Sequence, residues 1–260
     1  MPAAPQARVG LSTVVATRYV TPLREGGSLP GLMEADDDGV YVVKFRGAGQ
    51  GAKALVAELL GGELARSLGL DVPELVLVDL DPALGRAEPD PEIQDLLEAS
   101  PGLNLGVDFL PGALPFDAAD GGGTLDADLA ADIVWFDALM ANVDRTPHNP
   151  NLLLWHGRLW LIDHGAAVYH QHAPGDWTEQ ARAPFPAIRN HVLLPHAGSI
   201  LDADRRLASR IPAETLDELV ALIPGEWEEH PREAYAAWLA RRLQEPRAFA
   251  HEAEDARQSG

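Results

Sequence analysis

Four residues in one stretch of the chain, Asn142 to Gly165 (NVDRTPHNPNLLLWHGRLWLIDHG), have types and spacings that could do chemistry: Asp144, Asn149, Asn151 and Asp163. Carboxylate and amide oxygens are hard ligands, matched to Mg2+ and not to a soft metal. Between them lie two apolar runs around His156-Gly157, and a residue tolerant of positive φ followed by glycine signals a two-residue hairpin turn. Such a turn fixes the register. Trp155 then faces Arg158, Leu153 faces Trp160, Asn151 faces Ile162 and Pro150 faces Asp163, with facing Cα atoms about 4.5 to 5.5 Å apart. Asn149 and Asp163 become neighbours, Asp144 shares their rim, and the apolar strands anchor the group from both sides. The chemistry predicted is a divalent cation held by oxygen with a carboxylate beside it.

The elements that must position this group lie on both sides of it. Thr13 to Leu23 and Leu32 to Phe45 read as strands broken by REGGSLPG and DDDGV. In AKALVAELLGGELARSLGL, Leu55, Leu59, Leu60, Leu64 and Leu68 recur at helical spacing, and Gly69 is placed to cap that helix. VPELVLVDLD reads as a further strand, EPDPEIQDLLEAS as a surface helix, and Leu105 to Leu110 as a short strand running into a linker. From Leu125 a helix begins with Asp126 and Asp128 at its positive end and carries Ile133, Phe136, Asp137 and Met140 to the chemical stretch. PAETLDELVALI and PREAYAAWLARRL read as amphipathic helices, and the polar stretch from Phe249 onward as a frayed tail. The fold class is α+β, with strands and one main helix first and helices afterwards.

The totals narrow the function classes. A chain of 260 residues can bury roughly three quarters of its extended surface, enough for a sizeable core. With 40 acidic against 20 basic residues the net charge is -20, which disfavours binding to a phosphate backbone. Nucleic acid is therefore not an expected partner. The absence of cysteine excludes disulfides, thiolate metal sites and a cysteine nucleophile. No stretch has signal-peptide or membrane-span character, so the expectation is a cytoplasmic protein with no membrane partner.

The motifs together resemble the HipA-like kinases, a branch of the protein-kinase-like fold related to phosphoinositide kinases. Asp144 to Asn149 has the D-x-x-x-x-N spacing of a kinase catalytic loop, and Asp163-His164-Gly165 resembles the D-F-G element. NVDRTPHNPNLLLW and LIDHG carry the closer likeness, VYVVKF resembles the strand bearing the nucleotide-binding lysine, and the likeness covers about Thr17 to Val168. It implies a two-lobed fold: a nucleotide-binding lobe over residues 1–106, a hinge at 107–112 and a mostly helical catalytic lobe over 113–260. It implies ATP and Mg2+ as cofactors and a protein Ser/Thr hydroxyl as acceptor. A small molecule or lipid as acceptor, or a nucleotide-binding pseudokinase, is the alternative.

Residue by residue, the resemblance implies that Lys44 holds the α and β phosphates and that Glu58 pairs with it. Asp144 would receive or orient the acceptor hydroxyl, and Asn149 and Asp163 would bind Mg2+, with Asn151 able to replace Asn149. Asp108, Phe109 and Leu110 fall in the hinge segment that receives adenine. Three departures stand out. His164 replaces the usual phenylalanine, Arg145 follows the aspartate directly as in phosphoinositide kinases, and the glycine-rich loop is reduced to Gly26, Gly27 and Ser28.

The residues also offer two rival readings. GAGQGA, Gly47 to Ala52, satisfies a Rossmann-type G-x-G-x-x-A, but Asp79, the acid ending the next strand, lies 30 positions past Gly49, where about 20 is expected. The histidines at 148, 156, 164, 170, 172, 191 and 196 raise a metal-dependent hydrolase, without a matched ligand spacing.

Overall fold

The structure is a computed structural model that describes residues 10–23, 29–49, 51–117 and 125–259. Strands β1 (Ser12–Pro22), β2 (Gly31–Ala35), β3 (Val40–Lys44), β4 (Leu75–Leu80) and β5 (Gly102–Asp108) close into a barrel in the order β1-β2-β3-β5-β4. Only the closing pair, β1 with β4, is parallel. This topology overturns the Rossmann reading, which needs an open, mostly parallel sheet.

Period-two alternation decides what each strand contributes. Tyr41 and Val43 of β3 point into the barrel beside Val14, Met33, Val76 and Val78, while Val42 packs against the other core. Lys44 shares the parity of Val42 and so leaves the barrel on the side that helix α1 (Gly51–Ser67) covers. Helix α2 (Pro91–Glu98), capped by Asp90, adds Ile93 and Leu97 to the barrel interior.

Helix α1 is buried through most of its length, Glu58 and Glu63 included, so it is a central helix and not a surface one. Two glycines allow that. A Cβ at Gly61 would stand 2.6 Å from the His164 Cβ, and one at Gly62 would stand 2.6 Å from a Leu75 methyl. The helix ends as its sequence predicts. Gly69 has φ +84, with Leu70 N–H on the Ala65 carbonyl and Gly69 N–H on that of Arg66, the paired bonds of a Schellman cap.

The core around α1 takes in Leu105 and Val107 of β5 and continues into the helices that follow. Helix α3 (Ala127–Met140) starts on Asp126, whose carboxylate accepts from Asp128 N–H, and is buried along most of its length. It stops at Ala141, φ 50. A three-stranded sheet of β6 (Leu114–Pro115), β7 (Leu152–Trp155) and β8 (Arg158–Leu161) follows. His156 and Gly157 both have positive φ, 48 and 74, and the register pairs Trp155 with Arg158 and Leu153 with Trp160, as the turn residues predict.

Helices α4 (Ile200–Leu207), α5 (Ala213–Ala221), α6 (Arg232–Arg242) and α7 (Ala248–Ser259) complete the helical half. The last corrects the expected frayed tail. Phe249, Ala250 and Ala253 are buried, the Phe249 ring lies 5.8 Å from that of Trp135, and Glu254 accepts from the Ile200 amide at 2.8 Å. Its apolar stripe is one phenylalanine and small alanines, a weak pattern that becomes adhesive only against the α3–α4 surface. Among the described residues no helix is long and apolar enough to cross a membrane.

Candidate active site

The site forms where the barrel, α1 and the β7–β8 hairpin converge. Lys44, at the end of β3, places Nζ 2.6 Å from Glu58 Oε2 on α1 and 2.7 Å from Asp163 Oδ1 after β8. These partners stand 14 and 119 positions away in the chain, so barrel closure and helix packing bring them together. The Lys44 and Glu58 side chains are 13% and 2% exposed, which makes theirs a buried ion pair, while the Asp163 side chain is 43% exposed and opens the group to solvent. Burial alone would lower the Lys44 pKa, but Glu58 and Asp163 outweigh it and hold the ammonium above its ordinary value. Burial would likewise raise Glu58, yet Lys44 and then His164 bring its carboxyl down to about 2.

The loop between α3 and β7 carries the second group. Asp144 is half-buried, and its Oδ2 accepts from Asn149 Nδ2 at 2.8 Å and from Asn151 Nδ2 at 3.3 Å. Its own amide donates to Asn142 Oδ1 at 3.1 Å. A tight turn, with Thr146 and Asn149 exchanging backbone hydrogen bonds, folds Asn149 back over Asp144. Asn151 immediately precedes β7, and its carbonyl accepts from the Ile162 amide at 3.1 Å, which sets it one register step from Asp163.

The three residues of the expected hinge divide. The Asp108 amide donates to the Glu74 carbonyl and the Phe109 amide to that of Val40, so both serve the barrel. Leu110 is buried, and its amide makes no hydrogen bond among the described residues. Gly26, Gly27 and Ser28 lie outside the described residues.

His164 is buried beneath Gly61, edge-on to Phe136 at 6.0 Å, with Nδ1 3.9 Å from Glu58 Oε1. Sequence reasoning missed a second buried group altogether: Asp137, Asn142, Arg145 and His191, joined through the Asp137 carboxylate. One signal for it was readable. Asp137 is a lone charge between apolar neighbours on α3, a place where a carboxylate must find partners. The histidines do not converge: among the described residues no three of His, Asp or Glu stand together as metal ligands, so a hydrolase has no ligand set there.

A family model described as HipA-like kinase matches residues 17–245. The chain belongs to the HipA-like kinases. It is a phosphotransferase, and the match carries the likeness past Val168 through α6. Among solved structures, the HipA-like chain is similar to the Helicobacter pylori proinflammatory kinase CtkA, at 15% identity over 93% of this chain and 97% of that one, with a TM-score of 0.55. At that identity the likeness shows a shared kinase-like fold, β-rich first and helical after. The Leishmania major MAP kinase LmaMPK10 is also found, at 10% identity over 95% of this chain and 82% of that one, with a TM-score of 0.29, too low to build on. No curated protein matches this HipA-like kinase.

Proposed function

We propose that this HipA-like kinase transfers the γ-phosphoryl group of ATP, with Mg2+, to the hydroxyl of a protein serine or threonine. The observation that carries the reading is Lys44 held between Glu58 and Asp163 while Asp144 stands nearby between two asparagine amides. Residues 1–106 would act as the nucleotide lobe, 107–112 as the hinge and 113–260 as the catalytic lobe.

In this reading Glu58 fixes Lys44 so that its ammonium meets the α and β phosphates without reorganising. The Leu110 amide is the hinge donor still available to adenine. Asp163 and the asparagines fit Mg2+ by donor chemistry, since each offers hard oxygen. Both asparagines give Nδ2 to Asp144 and keep Oδ1 for a cation; we assign Asn151 over Asn149 because its carbonyl accepts from the Ile162 amide, one register step from Asp163. When bound, Mg2+ supplies neutralisation of phosphate charge. Asp144 Oδ2 is occupied by the two amides, so Oδ1 is the atom that orients the acceptor hydroxyl and takes its proton.

The test is transfer of labelled γ-phosphate from ATP with Mg2+ to protein acceptors. Asp144→Ala and Asp163→Ala should each lower the rate by about 10²- to 10⁴-fold. Full transfer by both variants would show the site assignment to be wrong.

A further inference from the structure

Asp137 is fully buried on α3 among Ile133, Val134, Phe136 and Ala138. A charge in such a place is strongly disfavoured unless it is paired and hydrogen-bonded. Its carboxylate accepts from Arg145 Nε at 2.6 Å, His191 Nε2 at 2.9 Å and Asn142 Nδ2 at 3.0 Å. The tautomer of His191 follows from its other side. The Leu193 amide donates to Nδ1 at 3.1 Å, so the proton sits on Nε2 and the ring is a neutral donor to Asp137.

Arg145 is itself fully buried; its Nη2 also reaches Asp137, at 3.5 Å, and its Nη1 donates to two carbonyls, those of Asn151 and of Ile162, the latter at 3.2 Å. Both carbonyls belong to the backbone of the metal-ligand candidates: Asn151 directly, and Asp163 because the Ile162 carbonyl and the Asp163 nitrogen share one peptide plane. Asn151 and Asp163 have φ of 49 and 56, left-handed values that Asn and Asp adopt more readily than other non-glycine residues but that still need support from their surroundings. Such conformations persist where the surroundings over-determine them. One guanidinium gripping both carbonyls does so, and the Val192 amide, donating to the Arg145 carbonyl at 3.1 Å, holds Arg145 from behind.

We propose that Arg145, clamped by Asp137, is the positioning residue that sets the backbone of Asn151 and Asp163 for a shared divalent cation. This rests on the metal role given to those two residues above. Arg145 acts through their main chain and not on the reacting atoms.

Arg145→Lys keeps a cation for Asp137 but has a single nitrogen, where arginine serves the carboxylate through Nε and Nη2 and both carbonyls through Nη1. Mn2+ affinity, titrated by electron paramagnetic resonance in the presence of the non-hydrolysable adenylyl imidodiphosphate, should fall by about tenfold or more. Binding of the same nucleotide in EDTA should stay at the wild-type value, a split that general loosening of the fold does not produce. Where Arg145→Lys fails to fold, Asp137→Asn is read in its place with the same expectation. A folded variant with wild-type Mn2+ affinity overturns the proposal, as does equal loss of metal-free nucleotide binding. Wild-type protein that binds no Mn2+ with the nucleotide overturns the metal-site reading itself, and that result is visible before any substitution is made.

Discussion

Lys44 is shared by two carboxylates, one of them, Glu58, buried, and the consequence is a pH window. Glu58 is lowered from its ordinary 4.5 to about 2 in the folded protein, by Lys44 and His164 working against burial. A depressed carboxyl contributes stability that is complete above its unfolded value and is lost as pH falls through its folded value. Glu58 therefore stabilises the fold above about pH 4.5, and that contribution drains away between there and about pH 2. Glu58→Gln should be less stable at neutral pH and show a shallower acid limb over this window, measured by urea unfolding across a pH series. A variant as acid-sensitive as wild type between those limits would show that Glu58 is not ionised against Lys44. Asp137 is also held below its ordinary value, by Arg145 and His191 against the cost of burial, so part of the acid limb remains in the variant.

At the scale of elements, α1 is pressed between β4 and the segment that carries Asp163 and His164. Its two glycines make unequal predictions. Alanine usually gains about 0.8 to 1 kcal/mol over glycine inside a helix. At Gly62 the new methyl meets the end of the Leu75 side chain, which can turn away, so Gly62→Ala should be close to neutral. At Gly61 it meets the His164 Cβ at 2.6 Å, which is fixed to the backbone, so Gly61→Ala should cost about 1 to 3 kcal/mol by overpacking. The same push moves Glu58 away from Lys44, so ATP binding should weaken in Gly61→Ala and not in Gly62→Ala. Thermal melts and nucleotide titrations of the pair check both statements. Equal behaviour of the two variants would mean that α1 does not bear on the His164 segment.

Across the whole molecule, the barrel has its own interior core, while a second core runs from α1 through α3 to α7. Arg242 links the far end of that second core to the site. It donates to the Ala138 and Leu139 carbonyls at 2.6 Å, at the end of α3 from which the Asp144 loop departs, and burial lowers its pKa to about 9. The Phe249 ring lies 4.8 Å from its guanidinium. Phe249→Ala should therefore cost about 3 to 5 kcal/mol in chemical unfolding. A loss below 1 kcal/mol would return α7 to the status of a dispensable tail.

The sequence by itself determined what depends on neighbours a few positions apart. The His156-Gly157 turn set the hairpin register, Gly69 stopped α1, Asp126 started α3, and the spacing of Asp144, Asn149 and Asp163 pointed to the catalytic loop, because turn and cap chemistry are local. The fold class was legible from the same periodicities. Only the tertiary structure decided which distant groups meet. Lys44 reaches Asp163 across 119 positions because the barrel closes and α1 packs beneath β3. Asn151 and Asn149, equivalent on paper, both reach Asp144, but only Asn151 is also held by a cross-strand bond, from the Ile162 amide, one step from Asp163. Asp108 and Phe109 give their amides to the barrel, and the tail after Phe249 becomes a helix, since both outcomes depend on surfaces built elsewhere in the chain. Burial made the largest difference: it turned Asp137, an acid set between apolar neighbours, into the anchor beneath the site.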